Sequence, residues 1–271
     1  MGHLAKSVGC HAKDWFGMFT AYHDAAGGQD HGFIVVSGWL SSLTKWDRFE
    51  CDWRLLLAKH DVTHFHMKQF VTSDGPFKGW EGNDGKRTIF LKDAVDIIKS
   101  HVEYGMACFV EYAVFDKINK DFHLDRWLGV PYSLAGRDCA AKANNYLRNK
   151  HSTSELPDIN YLFEDGDTGK GQLMRVMHRD LGKWPDFRPS RDQKHKKTGA
   201  TIKGVVQLQA ADFAAYELRK SMVDDPREEW LPWQYRRSFQ ALERIDSWWG
   251  HYTEKDLLAQ CKLANIPRRK P

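Results

Sequence analysis

The stretch AYHDAAGGQDHGFIVVSGWL, residues 21–40, carries the decision about the fold. Its first part belongs to an apolar run that begins near Phe16, reaches Asp24 and Ala25, and breaks at Gly27-Gly28, a turn signal. Phe33 to Trp39 then form a second run, rich in β-branched and aromatic residues, so the two predict a β-hairpin. Downstream, Trp46, Phe49, Trp53, Leu56 and Leu57 recur every three or four positions and predict a helix over 43–60. Residues 63–70 (THFHMKQF) fit a strand or a strand-like connection. Further helices are expected over 86–101, 133–149 and 171–181, with strands over 106–114 and 159–163. A strand remnant at Val205-Val206 leads into a helix over 208–222, and the tail is expected to add helices near 234–249 and 254–264. Strands alternating with helices predict a layered α/β fold.

The chain of 271 residues, 42% hydrophobic and 28% charged, has the profile of a globular protein rather than a disordered one. Five cysteines (Cys10, Cys51, Cys108, Cys139, Cys261) are odd in number and never form C-x-x-C. That excludes a zinc ribbon, argues against a disulfide framework, and leads us to expect a reducing, cytoplasmic setting. Residues 1–17 lack the apolar core of a signal peptide, and no run approaches a membrane span, so no membrane partner is expected. The net charge of +4 permits contact with a polyanion without demanding it. Oligomeric state is not encoded in any pattern we recognise.

Three acids fall where strand ends and a helix meet in α/β sheets. Asp24 ends the first strand, Glu164 ends the strand over 159–163, and Asp212 lies in the first turns of QLQAADFAAYELRK. Carboxylates gathered this way repel one another unless a hard divalent ion such as Mg²⁺ or Mn²⁺ stands between them. Two such ions, about 3.5–4 Å apart, support phosphodiester cleavage. Each acid also has a plainer reading. Asp24 can be a turn residue. Glu164-Asp165-Gly166-Asp167 can open the next helix, with Asp167 or Thr168 as its N-cap. Gln209, Asp212 and Tyr216 share one helical face, which is either a functional strip or an exposed one.

These stretches resemble the bacterial and archaeal family known as domain of unknown function 3800, whose fold is regarded as RNase H-like. The resemblance rests on residues 21–40, on NYLFEDGD at 160–167 and on VVQLQAADFAAYELRK at 205–220. The last, with its Leu-Gln-x-Ala-Asp pattern at Leu208 to Asp212, is the most specific part. It implies an RNase H-like mixed sheet flanked by helices over 16–222, after an N-terminal extension (1–15) and before a C-terminal helical extension (223–271). It also implies that Asp24, Glu164 and Asp212 hold Mg²⁺ or Mn²⁺, with Asp24 bridging two ions. Where the family has Asp-Glu, this chain has Asp24-Ala25, which either removes a ligand or removes nothing, with Asp165 or Asp167 able to compensate.

His64 and His66 alternate about Phe65 and are either metal or acid–base groups or structural ones. The family commonly has a His in this region, which favours His66 as the catalytic one. His23 faces away from Asp24 if the strand is regular. Residues 188–203 carry six Lys or Arg against one Asp and read either as a phosphate-tracking loop or as a solvated one. Gly166 to Gly171 fails as a phosphate loop because Gly171 follows Lys170 where Ser or Thr is required. The expected activity is a metal-dependent nuclease or related phosphodiester hydrolase acting on DNA or RNA. The alternatives are a non-catalytic module binding nucleic acid or protein, and a hydrolase of a small phosphorylated substrate.

Overall fold

The computed structural model describes residues 18–152, 158–224, 237–242 and 244–269. The extension 1–15, Cys10 and the start of the helix expected over 234–249 lie outside them.

Strand β1 (Phe19–Gly28) pairs antiparallel with β2 (Phe33–Ser42) over its whole length, from Phe19↔Ser42 to Gly28↔Phe33. Glycine is required at the end of this hairpin: Gly27 sits at φ 102°, and a Cβ there would stand 2.5 Å from the Phe33 carbonyl oxygen. Helix α1 (Leu43–Lys59) follows directly, burying the five aromatic and leucine positions expected of it. Residues 63–66 are not a strand. They run extended into a short helix α2 (Met67–Thr72), which α3 (Asp84–His101) follows.

Strand β3 (Tyr104–Glu111) pairs antiparallel with β2 and stops three residues short of the expected end. There the period changes from two to between three and four: Tyr112, Phe115, Ile118 and Phe122 form the apolar stripe of α4 (Tyr112–Phe122). A single turn α5 (Leu124–Trp127) leads to α6 (Pro131–His151), which starts on a proline that needs no helical N–H partner. Strand β4 (Ile159–Glu164) lies parallel to β1, and after α7 (Lys170–Leu181) the short β5 (Asp186–Arg188) lies parallel to β4.

The basic segment forms a two-residue-per-arm hairpin, β6 (Gln193–Lys194) with β7 (Thr201–Ile202). Val205-Val206 is not a strand; Val205 N–H donates to the Pro189 carbonyl and the chain enters α8 (Gln207–Asp224). The tail also departs from the all-helical expectation. Among the described residues only α9 (Arg237–Gln240) is helical between α8 and β8 (Ser247–Tyr252), which adds to the sheet parallel to β3, and α10 (Glu254–Leu263) follows. Trp248 and Trp249 explain this: alternating on a strand, Trp249 packs in the core on one face of the sheet and Trp248 in the core on the other.

The result is a mixed six-stranded sheet, ordered β5-β4-β1-β2-β3-β8, with helices on both faces. One face buries α1, α3 and α8 around Trp39, Trp46, Trp53, Phe90 and Phe213. The other buries α4, α6, α7 and α10 around Leu134, Leu147, Leu173 and Leu257. Indole N–H groups tie the first layer to backbone: Trp46 donates to the Thr20 carbonyl at 2.9 Å and Trp39 to the Ala210 carbonyl at 2.8 Å. Among the described residues no helix is long and apolar enough to cross a membrane.

His23 faces the second layer, as its position beside Asp24 predicts, and stacks on Phe163 with centroids 4.5 Å apart. It is fully buried, and neither ring nitrogen has a hydrogen-bond partner, so burial lowers its pKa to about 3. The ring fits because position 38, directly across on β2, has no side chain; a Cβ there would stand 2.3 Å from His23 Nδ1. Gly38→Ala is therefore expected to destabilise the fold by about 1–3 kcal/mol, read as a lower urea midpoint with an unchanged slope. An unchanged midpoint would show that the ring can move aside.

Candidate active site at the fork of the sheet

Asp24 does not end its strand. It is the first residue of β1 beyond the parallel pairing with β4, whose last partner pair is His23↔Phe163. From that fork the β1–β2 hairpin continues alone, and Glu164, one residue past Phe163, pairs with Arg188 of β5 instead. Tyr22 and Leu162 belong to the first core and His23 is stacked on Phe163 in the second layer, so strand alternation puts Asp24 and Glu164 together on the first face. Helix α8 lies across β1 and β2 on that same face and brings Asp212.

The strip on α8 is not exposed. Gln209 and Asp212 are 1% and 8% accessible, and both are engaged. Gln209 Oε1 accepts from Trp53 Nε1 at 2.8 Å and from the Phe65 N–H at 2.9 Å, while its Nε2 donates to the Ser190 carbonyl at 2.9 Å. One turn on, Asp212 Oδ2 accepts from the Met67 N–H at 2.6 Å, and its Oδ1 lies 3.7 Å from His66 Nε2. That second distance is an electrostatic contact rather than a hydrogen bond. Glu164 Oε1 accepts from Ser190 Oγ at 2.6 Å and from the Ser190 N–H at 3.3 Å.

Burial raises the pKa values of these acids, and charge among them adds to the rise at Asp24, Glu164 and Asp167. Burial, then the nearby charges of Glu164, Asp212 and Asp167, pushes the Asp24 carboxyl well above its ordinary range. Glu164 is also raised, by burial and by Asp212, against the opposing hydrogen bonds from Ser190. Burial lifts Asp212 to about 7, although the Met67 N–H and Arg191 pull the other way. Asp167, weighed as a cap or a substitute ligand, joins the cluster: burial, Glu164 and Asp165 raise it to about 7. Asp165 turns outward to Lys170, 2.8 Å away, and neither Asp167 nor Thr168 is the N-cap of α7, which is Gly169.

His66 is half-buried with Nδ1 unpartnered, and burial followed by Arg191 lowers its pKa, so the ring is neutral at neutral pH. His64 points elsewhere, to Thr63, Gln69 and Arg191. Ala25 packs against the second core, so a glutamate at that position on this regular strand would leave the Asp24 face unchanged. Ser37 is the residue no motif suggested. It pairs across the hairpin with Asp24, on the same face, and its buried hydroxyl has no partner.

The donor chemistry fits a hard divalent cation: oxygen ligands, mutual repulsion relieved by positive charge, and an orphaned hydroxyl facing Asp24. Asp24, Glu164 and Asp212 are the residues that would hold such an ion, with Asp167 beside them. Among the described residues, no three His, Cys, Asp or Glu side chains stand as a ready-made metal cage.

With pKa values raised above those of the unfolded chain, the acids favour folding at low pH, and that contribution is lost as pH rises from 3.8 to about 7. Each tenfold rise in proton affinity is worth about 1.4 kcal/mol, or roughly 3–6 °C in Tm for a chain of this size. Metal-free protein should therefore lose several degrees across that window in a thermal scan, and Asp24→Asn should lose less. Equal pH profiles for the two would show that the Asp24 carboxyl binds its proton no more tightly in the folded chain than in the unfolded one.

In comparisons with protein-family models, curated proteins and solved structures, nothing matches this chain.

Proposed function

We propose that this chain is a divalent-metal-dependent nuclease, or a related phosphodiester hydrolase, built on an RNase H-like sheet. The observation that carries the reading is the convergence of Asp24, Glu164 and Asp212, from two strands and a helix, where burial raises all three pKa values and the charges of Glu164 and Asp212 raise that of Asp24 further. The mixed sheet with helices on both faces is compatible with that fold.

When bound, Mg²⁺ or Mn²⁺ supplies Lewis-acid stabilisation of phosphoryl charge and a water of lowered pKa. The chain's own groups provide the rest. Asp24 and Asp212 lend carboxylate oxygens from opposite sides of the sheet–helix gap, and Ser190 fixes which oxygen of Glu164 stays free. His66, neutral and beside Asp212, is placed to take or return a proton at the rim of the cluster. The positive segment 188–203 lies next to Glu164 through Ser190 and suits a polyanionic strand. A second reading, a strand-binding module without chemistry, draws on the lack of a ready-made cage among the described residues.

Calorimetry with Mn²⁺ and Mg²⁺, paired with cleavage of labelled DNA and RNA, tests both readings. The native chain should bind metal and cleave, while Asp24→Asn and Asp212→Asn should each lose at least about a hundredfold in rate. Oligonucleotide binding without metal uptake or cleavage would overturn the nuclease reading in favour of the module. Metal-dependent hydrolysis of small phosphate esters alone would move the substrate class.

A further inference from the structure

Six Lys or Arg residues lie in the segment 188–203, and the backbone of one of them, Arg191, is held on both sides at the edge of the site. Ser190 is fixed at three atoms: Oγ and N–H donate to Glu164 Oε1, and its carbonyl accepts from Gln209 Nε2. On the far side, Gly204 lies so close that a Cβ there would meet the Arg191 backbone at 2.3 Å. Val205 N–H donates to the Pro189 carbonyl at 2.8 Å, and Gly204 N–H to Asp192 Oδ1 at 2.9 Å. The Arg191 backbone is thus clamped between the site acid Glu164 and the entry to α8. Lys194 and Lys203, by contrast, spend their charge within the hairpin, on Thr201 and Asp192.

The Arg191 side chain is exposed, and its hydrogen-bond partners among the described residues are neutral. Nη1 lies 3.1 Å from His64 Nε2 and 3.3 Å from Gln69 Oε1. His64 Nε2 itself lies 2.9 Å from Gln69 Oε1. These three contacts cannot all be satisfied. If Nε2 accepts from Arg191 it has no proton to give Gln69, and if it donates to Gln69 it faces the guanidinium as a second donor. The anchors therefore steer the guanidinium without saturating it, and among the described residues nothing bonds Nη2 or Nε. Its charge reaches the cluster, since Arg191 opposes the rise of the Asp212 pKa and lowers that of His66.

We propose that Arg191 seats a phosphodiester group of a nucleic-acid strand beside the acidic cluster, its open N–H fork gripping the phosphate oxygens while Gln69 and His64 hold Nη1. This rests on the nuclease reading above and adds the positioning residue for its substrate. A planar fork of donors matches two phosphate oxygens at once, which a lysine ammonium does not.

The test measures binding separately from cleavage. Fluorescence anisotropy of single-stranded DNA and RNA oligonucleotides is followed in EDTA over a range of salt, for the native chain, Arg191→Ala, Arg191→Lys and Asp24→Asn. Arg191→Ala should weaken binding by about tenfold or more and lower the salt slope by about one. Arg191→Lys should restore the slope but not the affinity, and thermal scans should find all variants folded. If Arg191→Ala binds like the native chain with the same slope, or if the native chain binds neither strand at any salt, the proposal is overturned. If Arg191 governs binding while no metal supports cleavage by the native chain, the nuclease reading falls and the phosphate seat remains. The DNA and RNA arms show which strand the seat accepts.

Discussion

The architecture around the site depends on one buried amide. Gln209 joins α8 to α1 through Trp53, to the extended 63–66 segment through Phe65, and to the loop after β5 through Ser190. At a position this buried, removing one partner of such a group leaves others unsatisfied, at about 1–3 kcal/mol each. Each partner also places a site residue. Phe65 is buried among Trp53, Phe70, Phe77 and Phe90, which fixes His66 beside Asp212. Ser190 restrains Glu164 and sets the start of the Arg191 clamp. Holding Gln209 in place therefore sets the relation between a helix acid, a strand acid and a basic loop that are far apart in sequence.

The second constraint is the fork in the sheet. Because β4 runs parallel to β1, both strands deliver their C-terminal residues to the same edge, where open α/β sheets bind ligands. Because β2 runs antiparallel to β1, the hairpin can extend past that edge and form one wall of the gap, with Ser37 facing Asp24. The two faces of β1 then take opposite roles. Towards α8 stands an acid that favours a proton or a cation. Towards α6 stands His23, whose burial keeps it neutral and whose ring occupies the space left by Gly38. A single pleat thus separates a charged site from an apolar core.

The sequence by itself determined the elements whose pattern is local. The hairpin at 21–40, the aromatic face of α1, the long helices α3, α6 and α8, and the strand under Glu164 all follow from periodicity and glycine placement. Glu164 was legible as a strand-end residue and Asp212 as a helix acid, because a carboxylate in an Ala-rich helix such as α8 is out of place unless something compensates it, whereas Asp24 lies inside β1 rather than at its end. Reading failed where period and composition disagree with the neighbours. Residues 63–66 are extended but unpaired, since the Phe65 N–H is satisfied by a side chain rather than a strand. The chain at Trp248-Trp249 looked helical, yet the free edge of β3 made it a strand. Only the tertiary structure decided that Asp167 joins the acids while Asp165 pairs with Lys170, that Ser37 faces Asp24, and that Ser190 and Gly204 clamp Arg191 beside the site. These are relations between residues distant in sequence, fixed by register and by shared buried partners. No local pattern carries them.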